Sequence, residues 1–190
     1  MILEKGFAKM NGNYRHIIGG EGSSGIRYMR GGPEESIETE FYDSNKIWDW
    51  ITMHVAAGDL LTAGSMQGHD TDTDPWGVVL GHEYTIAGVK TLSDGTRLVR
   101  ARNPWGKDSF RGQYGAEASA YTPNWSTFVA EVPDAENADD GYVYMTPDQV
   151  RVSFKKLSAN FNVEKMHFDY YLKFDDTPKL KAKGDRIFTQ

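Results

Sequence analysis

Residues Gly81 to Gly112 read GHEYTIAGVKTLSDGTRLVRARNPWGKDSFRG, and the rest of the chain is best understood outward from them. Residues 83–92 and 96–102 are two runs rich in Val, Ile, Leu, Thr and Tyr. Ser93-Asp94-Gly95 lies between them, and Asp-Gly between two such runs signals a β-hairpin. His82 precedes the first run and Asn103 follows the second, so an antiparallel hairpin brings both to its open end. Their odd spacing suits partners on one face. A bare two-residue turn at Asp94-Gly95 pairs Asn103 with Ile86, four positions short of His82. The register therefore requires a wider loop or a bulge, and Gly88 is the place for one. A His ring held by an Asn carboxamide is the base and orienter of a Cys-His-Asn site, in which Asn fixes the tautomer without adding charge. A lone His at a strand start is more often structural, and the spacing by itself does not decide between the two.

GHEYTIAGV (81–89) followed by LVRARNPWG (98–106) closely resembles the His and Asn segments of calpain-type cysteine proteases, within the papain-like group. LEKGFAKMNGNYRHIIGG (Leu3 to Gly20) is similar to the helix and glycine turn late in the first half of a calpain core. GYVYMTPDQVRVSFKKL (Gly141 to Leu157) is similar to the closing segment of the second half. The resemblance implies an α+β fold whose second half is a twisted antiparallel sheet flanked by helices. Residues 1–32 would end the first, cysteine-side half with a glycine hinge at Gly31-Gly32. Residues 33–176 would form the second half, and 177–190 a linker or tail. The resemblance further implies His82 and Asn103 as catalytic residues, Trp105 as their shield, and Gly20 and Gly81 as cleft glycines where a peptide backbone approaches. Calpain cores are regulated by calcium. Of the expected second-half ligands only Asp140 is matched by a carboxylate. Ser109 and Tyr142 stand where Glu is common, and Lys107 where an acidic residue is common, so calcium binding should be weak or lost in this half.

Composition sets the main exclusion. The 190 residues contain no cysteine, so no thiolate nucleophile, disulfide or CxxC zinc site comes from this chain. The expected source of the nucleophile is a cysteine-bearing upstream half, with a peptide or protein as substrate. A net charge of −6 with no clustered basic face argues against nucleic-acid binding. No apolar run reaches membrane-spanning length, and MILEKGFAKM lacks the pattern of a signal peptide. An intracellular, cytoplasmic location fits all of this.

The remaining chain gives local expectations. Ile2 to Asn11 reads as a helix with Ile2, Leu3, Phe7 and Met10 on a face that needs a partner. Residues 19–32 hold six glycines and read as a loop. Ser44 to Ala57 reads as a helix with Ile47, Trp48, Ile51 and Val55 inward, ended by Gly58, and Asp59 to Gly64 as a strand. His69 to Asp74 fails the EF-hand pattern, because Pro75 and Gly81 occupy the glycine and glutamate positions. It reads as a solvated loop or a substrate gate. Residues 113–140 read as loop anchored by Trp125 and Phe128, with Asp134 to Asp140 solvated. Thr146-Pro147-Asp148 starts a helix that carries Val150, Phe154 and Leu157 on one side. Phe168 to Phe174 alternates as a final strand, and Lys179 to Arg186 reads as a linker.

Three functions fit these residues. They are the His/Asn portion of a calpain-like cysteine endopeptidase, a non-catalytic calpain-like structural or interaction module, and, least supported by the ligand count, a calcium-binding module.

Overall fold

The computed structural model describes residues 2–107, 109–116, 118–135 and 140–165. The hairpin is present: β3 (Glu83–Thr91) and β4 (Arg97–Arg102) pair antiparallel. Its loop is wider than two residues. Leu92 N–H donates to the Thr96 carbonyl at 2.8 Å and Gly95 N–H to the Leu92 carbonyl at 2.9 Å, with Gly95 at φ +89°. This is the three-residue hairpin loop that ends in a left-handed glycine. The register slips again between Ile86 and Gly88. Each step moves the residue opposite Asn103 by one, from Ile86 to Tyr84. His82 then lies two residues further along the same face, as a diagonal neighbour.

Four more strands complete an antiparallel sheet: β1 (Glu34–Glu38), β2 (Leu60–Ser65), β5 (Tyr142–Met145) and β6 (Phe154–Asn160), in the order β1-β6-β2-β3-β4-β5. With helices α1 (Ile2–Met10), α2 (Gly22–Arg30), α3 (Ser44–Ala57), α4 (Trp125–Glu131) and α5 (Pro147–Ser153), the fold is α+β. α3 forms because Asp43 accepts the Lys46 N–H at 2.9 Å at its start, and Gly58, left-handed at φ +79°, closes its end. Its Ile47 and Ile51, with Val150 of α5, pack on Leu61, Ala63, Val99, Met145, Leu157 and Ala159 of the sheet, all essentially buried. His54 joins the buried face of α3, whereas Val55 is only partly buried. α4 covers a second apolar cluster on the opposite face, built on Leu98, Phe128 and Tyr144.

Three local expectations are corrected. The glycine-rich stretch is not a loop throughout, because α2 occupies residues 22–30. Propensity argues against a helix beginning Gly-Ser-Ser-Gly, but packing on the sheet overrides it. Ser23 is buried and its carbonyl accepts from Asn160 Nδ2 at 3.0 Å. Second, the helix starting at Thr146 stops at Ser153, and Phe154 and Leu157 belong to β6. Their helical spacing with Val150 is overruled by pairing of β6 with both β1 and β2. Third, residues 113–140 contain α4, where Trp125 and Phe128, rings 5.3 Å apart, anchor a turn of helix rather than a bare loop.

α1 forms as read, yet Ile2, Leu3 and Met10 stay 88%, 80% and 67% exposed. Only Ala8 is buried, and Phe7 meets Tyr28 of α2 edge-on at 5.6 Å. The expected strand at Phe168 to Phe174 and linker at Lys179 to Arg186 lie outside the described residues, as does part of the acidic stretch before Asp140. No described helix is long and apolar enough to cross a membrane.

Candidate active site

At the open end of the hairpin His82 Nε2 and Asn103 Oδ1 are 3.0 Å apart. The hydrogen-bond pattern fixes which atom carries the proton. Trp105 N–H donates to the same Asn103 Oδ1 at 3.0 Å, so this atom is the carboxamide oxygen, an acceptor. His82 Nε2 must then be the donor. Nδ1 is left as the ring's lone-pair nitrogen, with no hydrogen-bond partner among the described residues.

Each neighbour has a definable part. The Trp105 ring sits 4.3 Å from the His82 ring, tilted by 42°, and the Tyr84 ring meets it edge-on at 5.4 Å. Asn103 is buried to 2%, whereas Trp105 is 54% exposed. The pair is thus sealed from below and covered by an indole open to its outer side. Pure core packing does not describe that Trp. Asn103 N–H donates to the Gly141 carbonyl at 2.8 Å, which ties β4's end to the segment entering β5. Gly81 takes φ +56°, and a Cβ there would lie 2.3 Å from the Gly68 carbonyl oxygen. Chain geometry alone therefore demands glycine beside His82. Gly20 has open space around it and lies two residues before Gly22, where a Cβ would come within 2.8 Å of Glu83 Oε1. The structure thus gathers His82, Asn103, Trp105 and Gly81 at one end of the sheet.

Sequence reasoning missed two residues that flank His82. Ser65, at the end of β2, binds its backbone: His82 N–H donates to Ser65 Oγ at 2.9 Å, and that hydroxyl donates to the His82 carbonyl at 3.0 Å. Glu83 faces the start of α2. Burial pushes its carboxyl above the usual range, against the opposing pull of the Gly22 N–H. Neither carries a sequence signature, since a Ser ending a strand and a Glu starting one are ordinary.

The loop before His82 is built rather than loose. Asp74 Oδ1 accepts the Trp76 and Val78 N–H groups at 2.9 and 2.8 Å, and Val79 N–H donates to Tyr84 Oη at 3.0 Å. As for cations, Asp140 Oδ1 accepts the Tyr142 N–H at 2.8 Å, and the Ser109 hydroxyl donates to the Gly77 carbonyl at 2.8 Å. The Arg100 and Arg102 guanidinium carbons lie 3.6 and 5.6 Å from the Tyr142 ring centre. Among the described residues no three His, Asp or Glu side chains converge as a metal site would require.

A profile described as "Calpain family cysteine protease" matches residues 1–160. The chain is 29% identical over 163 residues to the calpain-type cysteine protease ADL1 of Oryza sativa subsp. japonica, covering 82% of this chain and 7% of that protein. It is 28% identical over 173 residues to calpain-9 of Homo sapiens, covering 85% and 23%. Against the calpain-2 catalytic subunit of Bos taurus it is 28% identical over 182 residues, covering 91% and 25%. The chain spans a quarter or less of the length of these relatives.

Proposed function

The chain belongs to the calpain family of cysteine proteases, and from that premise we propose that it is the His/Asn-bearing portion of an intracellular cysteine endopeptidase. The observation that carries the reading is the His82–Asn103–Trp105 constellation, with Nε2–H pinned on Asn103 and Nδ1 left as a base. In this reading a thiol from a cysteine-bearing segment outside these 190 residues gives its proton to Nδ1. The thiolate attacks the peptide carbonyl carbon, and His82 returns the proton to the leaving amine as the C–N bond breaks. Water then hydrolyses the thioester. Asn103 holds the ring and Trp105 limits water at its hydrogen bond. Gly20 and Gly81 border the path of the substrate backbone. The exposed Ile2, Leu3 and Met10 of α1 are the face that the cysteine-bearing half would cover. Calcium, if it regulates the whole enzyme, acts mainly through that other half, since the donors around Asp140 suit it poorly. A cytoplasmic setting belongs to this reading, because the thiol nucleophile it requires stays reduced there.

The lack of cysteine also favours a second reading, a non-catalytic calpain-like structural or interaction module. One experiment separates them. The chain is expressed alone and joined to the cysteine-bearing segment of its own gene product, and casein cleavage is followed. Alone it should be inert. Joined, it should cleave, and His82→Ala should then lose about 10²–10⁴-fold in kcat, with Asn103→Ala losing less. Inert joined material, or a gene product with no upstream cysteine, leaves only the module.

A further inference from the structure

In a regular antiparallel ladder the rung after Gly64–Glu83 would be a mutual pair of backbone bonds between Ser65 and His82. Half of that rung is present, for Ser65 N–H donates to the His82 carbonyl at 2.9 Å. The other half is replaced. His82 N–H goes to Ser65 Oγ instead of the Ser65 carbonyl, and the same hydroxyl turns its own proton back to the His82 carbonyl. At this point β2 also shifts register against β6, between Gly64 and Ser65, and β3 begins only at Glu83. The next residue towards the loop is tied as well, with Gly81 N–H donating to the Met66 carbonyl at 2.8 Å.

We infer that Ser65 is a positioning residue for His82: its hydroxyl stands in for the ladder carbonyl, letting the His82 backbone leave the sheet plane while both of its polar groups stay satisfied. The direction of the His82 Cα–Cβ bond, and so the reach of Nε2 to Asn103, follows from that substitution. The hydrogen bonds of Ser65 to His82 go to its backbone N–H and carbonyl, not to the ring, so Ser65 acts through the backbone. Because it is 8% exposed, solvent does not readily take its place. In Ser65→Ala the His82 N–H loses its acceptor, and the segment must either close onto the Ser65 carbonyl or loosen. In both cases the ring turns away from Asn103. Ser65→Thr keeps the hydroxyl and should keep the geometry. The catalytic meaning of this role rests on the reading above, but the positioning itself does not.

The test is made on the 190-residue chain by nitrogen-proton correlation of the imidazoles at pH 8. Wild type and Ser65→Thr should show His82 as the Nε2–H tautomer with a slowly exchanging ring proton. Ser65→Ala should speed that exchange at least about tenfold and mix the tautomers, while His54 keeps its signals. An unchanged His82 tautomer and exchange rate in Ser65→Ala overturns the inference and leaves the protease reading intact. Conversely, a Ser65-dependent ring in a joined enzyme indifferent to His82→Ala upholds the positioning and sinks the protease reading. Should Ser65→Ala not fold, wild type still decides. A slowly exchanging Ser65 hydroxyl proton with a cross-peak to His82 Hα supports the proposal, and a hydroxyl in free exchange overturns it.

Discussion

Leu157 and Ser158 are neighbours on β6 and face opposite sides of one sheet, and the two sides are held by different physics. Leu157 meets α3 and α5 across an apolar layer in which Ile47, Ile51, Val150 and Phe154 are wholly buried. Burying each such side chain stabilises by about 1.5–3 kcal/mol. Ser158 looks towards Ser36, their hydroxyl oxygens 2.9 Å apart, on a face that also carries Thr62, Asn160, Glu34, Glu83 and Lys156. α2 lies on that side. It is joined by Asn160 to the Ser23 carbonyl, by Lys156 to Glu21 at 2.9 Å and by Arg27 to Glu34 at 3.7 Å. Hydrogen bonds contribute about 0.5–1.5 kcal/mol net, and exposed ion pairs about 0–1. Ser23 Oγ and Asn160 Oδ1 are buried without a protein partner, which subtracts from the sum. The lesson is that α3 is part of what makes the sheet fold, whereas α2 is attached to a sheet that would persist without it. Glu83, next to His82, belongs to the weakly held side, so the candidate base sits where the two regimes meet.

The sharpest way to break this comparison is to truncate both neighbours. Leu157→Ala should cost about 2–5 kcal/mol in urea unfolding, because it leaves a cavity in close packing. Ser158→Ala should cost no more than about 1.5 kcal/mol. Equal losses would mean that the polar face holds the fold as firmly as the apolar one.

A middle-sized effect is expected from Asn160→Ala, which strands the Ser23 carbonyl at a cost of about 1–3 kcal/mol. Amide exchange should show where the loss falls. Protection of α2 should drop while α3 keeps its own, since local opening follows the less apolar contact. Uniform loss across both helices would make them one cooperative unit.

The smallest effect concerns Glu83. Its carboxyl is raised in the folded protein by burial, against an unfolded value near 4.3. A raised acid contributes stability below the unfolded value and loses it as pH rises through the folded one, so ionised Glu83 is a cost at neutral pH. Glu83→Gln should therefore raise Tm at pH 7 and leave it unmoved at pH 4. The gain should be smaller than the ~2–4 °C that 1 kcal/mol moves a chain of this size, because Lys156 loses an attractive partner. Equal shifts at both pH values would place the effect in packing rather than charge.

Much is legible in the sequence itself. The Asp94-Gly95 signal, the need for extra residues in the register and the choice of Gly88 all follow from period and turn chemistry, which are local. So do the end of α3 at Gly58 and the start of α5 at Thr146-Pro147, whereas the Asp43 cap of α3 emerged only in the structure. The resemblance of 81–106 to calpain segments named the family and pointed to His82, Asn103 and Trp105. The tertiary structure decided what local signals cannot carry. α2 exists because Asn160 and the sheet hold a segment whose glycines disfavour helix. Phe154 and Leu157 became strand because β6 has partners on both edges, and a helix has none to offer there. Ser65 entered the account only when folding set its hydroxyl in the rung beside His82. Capping, turn type and composition are fixed by neighbours in sequence, whereas the partner of a buried hydroxyl is fixed by which distant segments the sheet brings to the same rung.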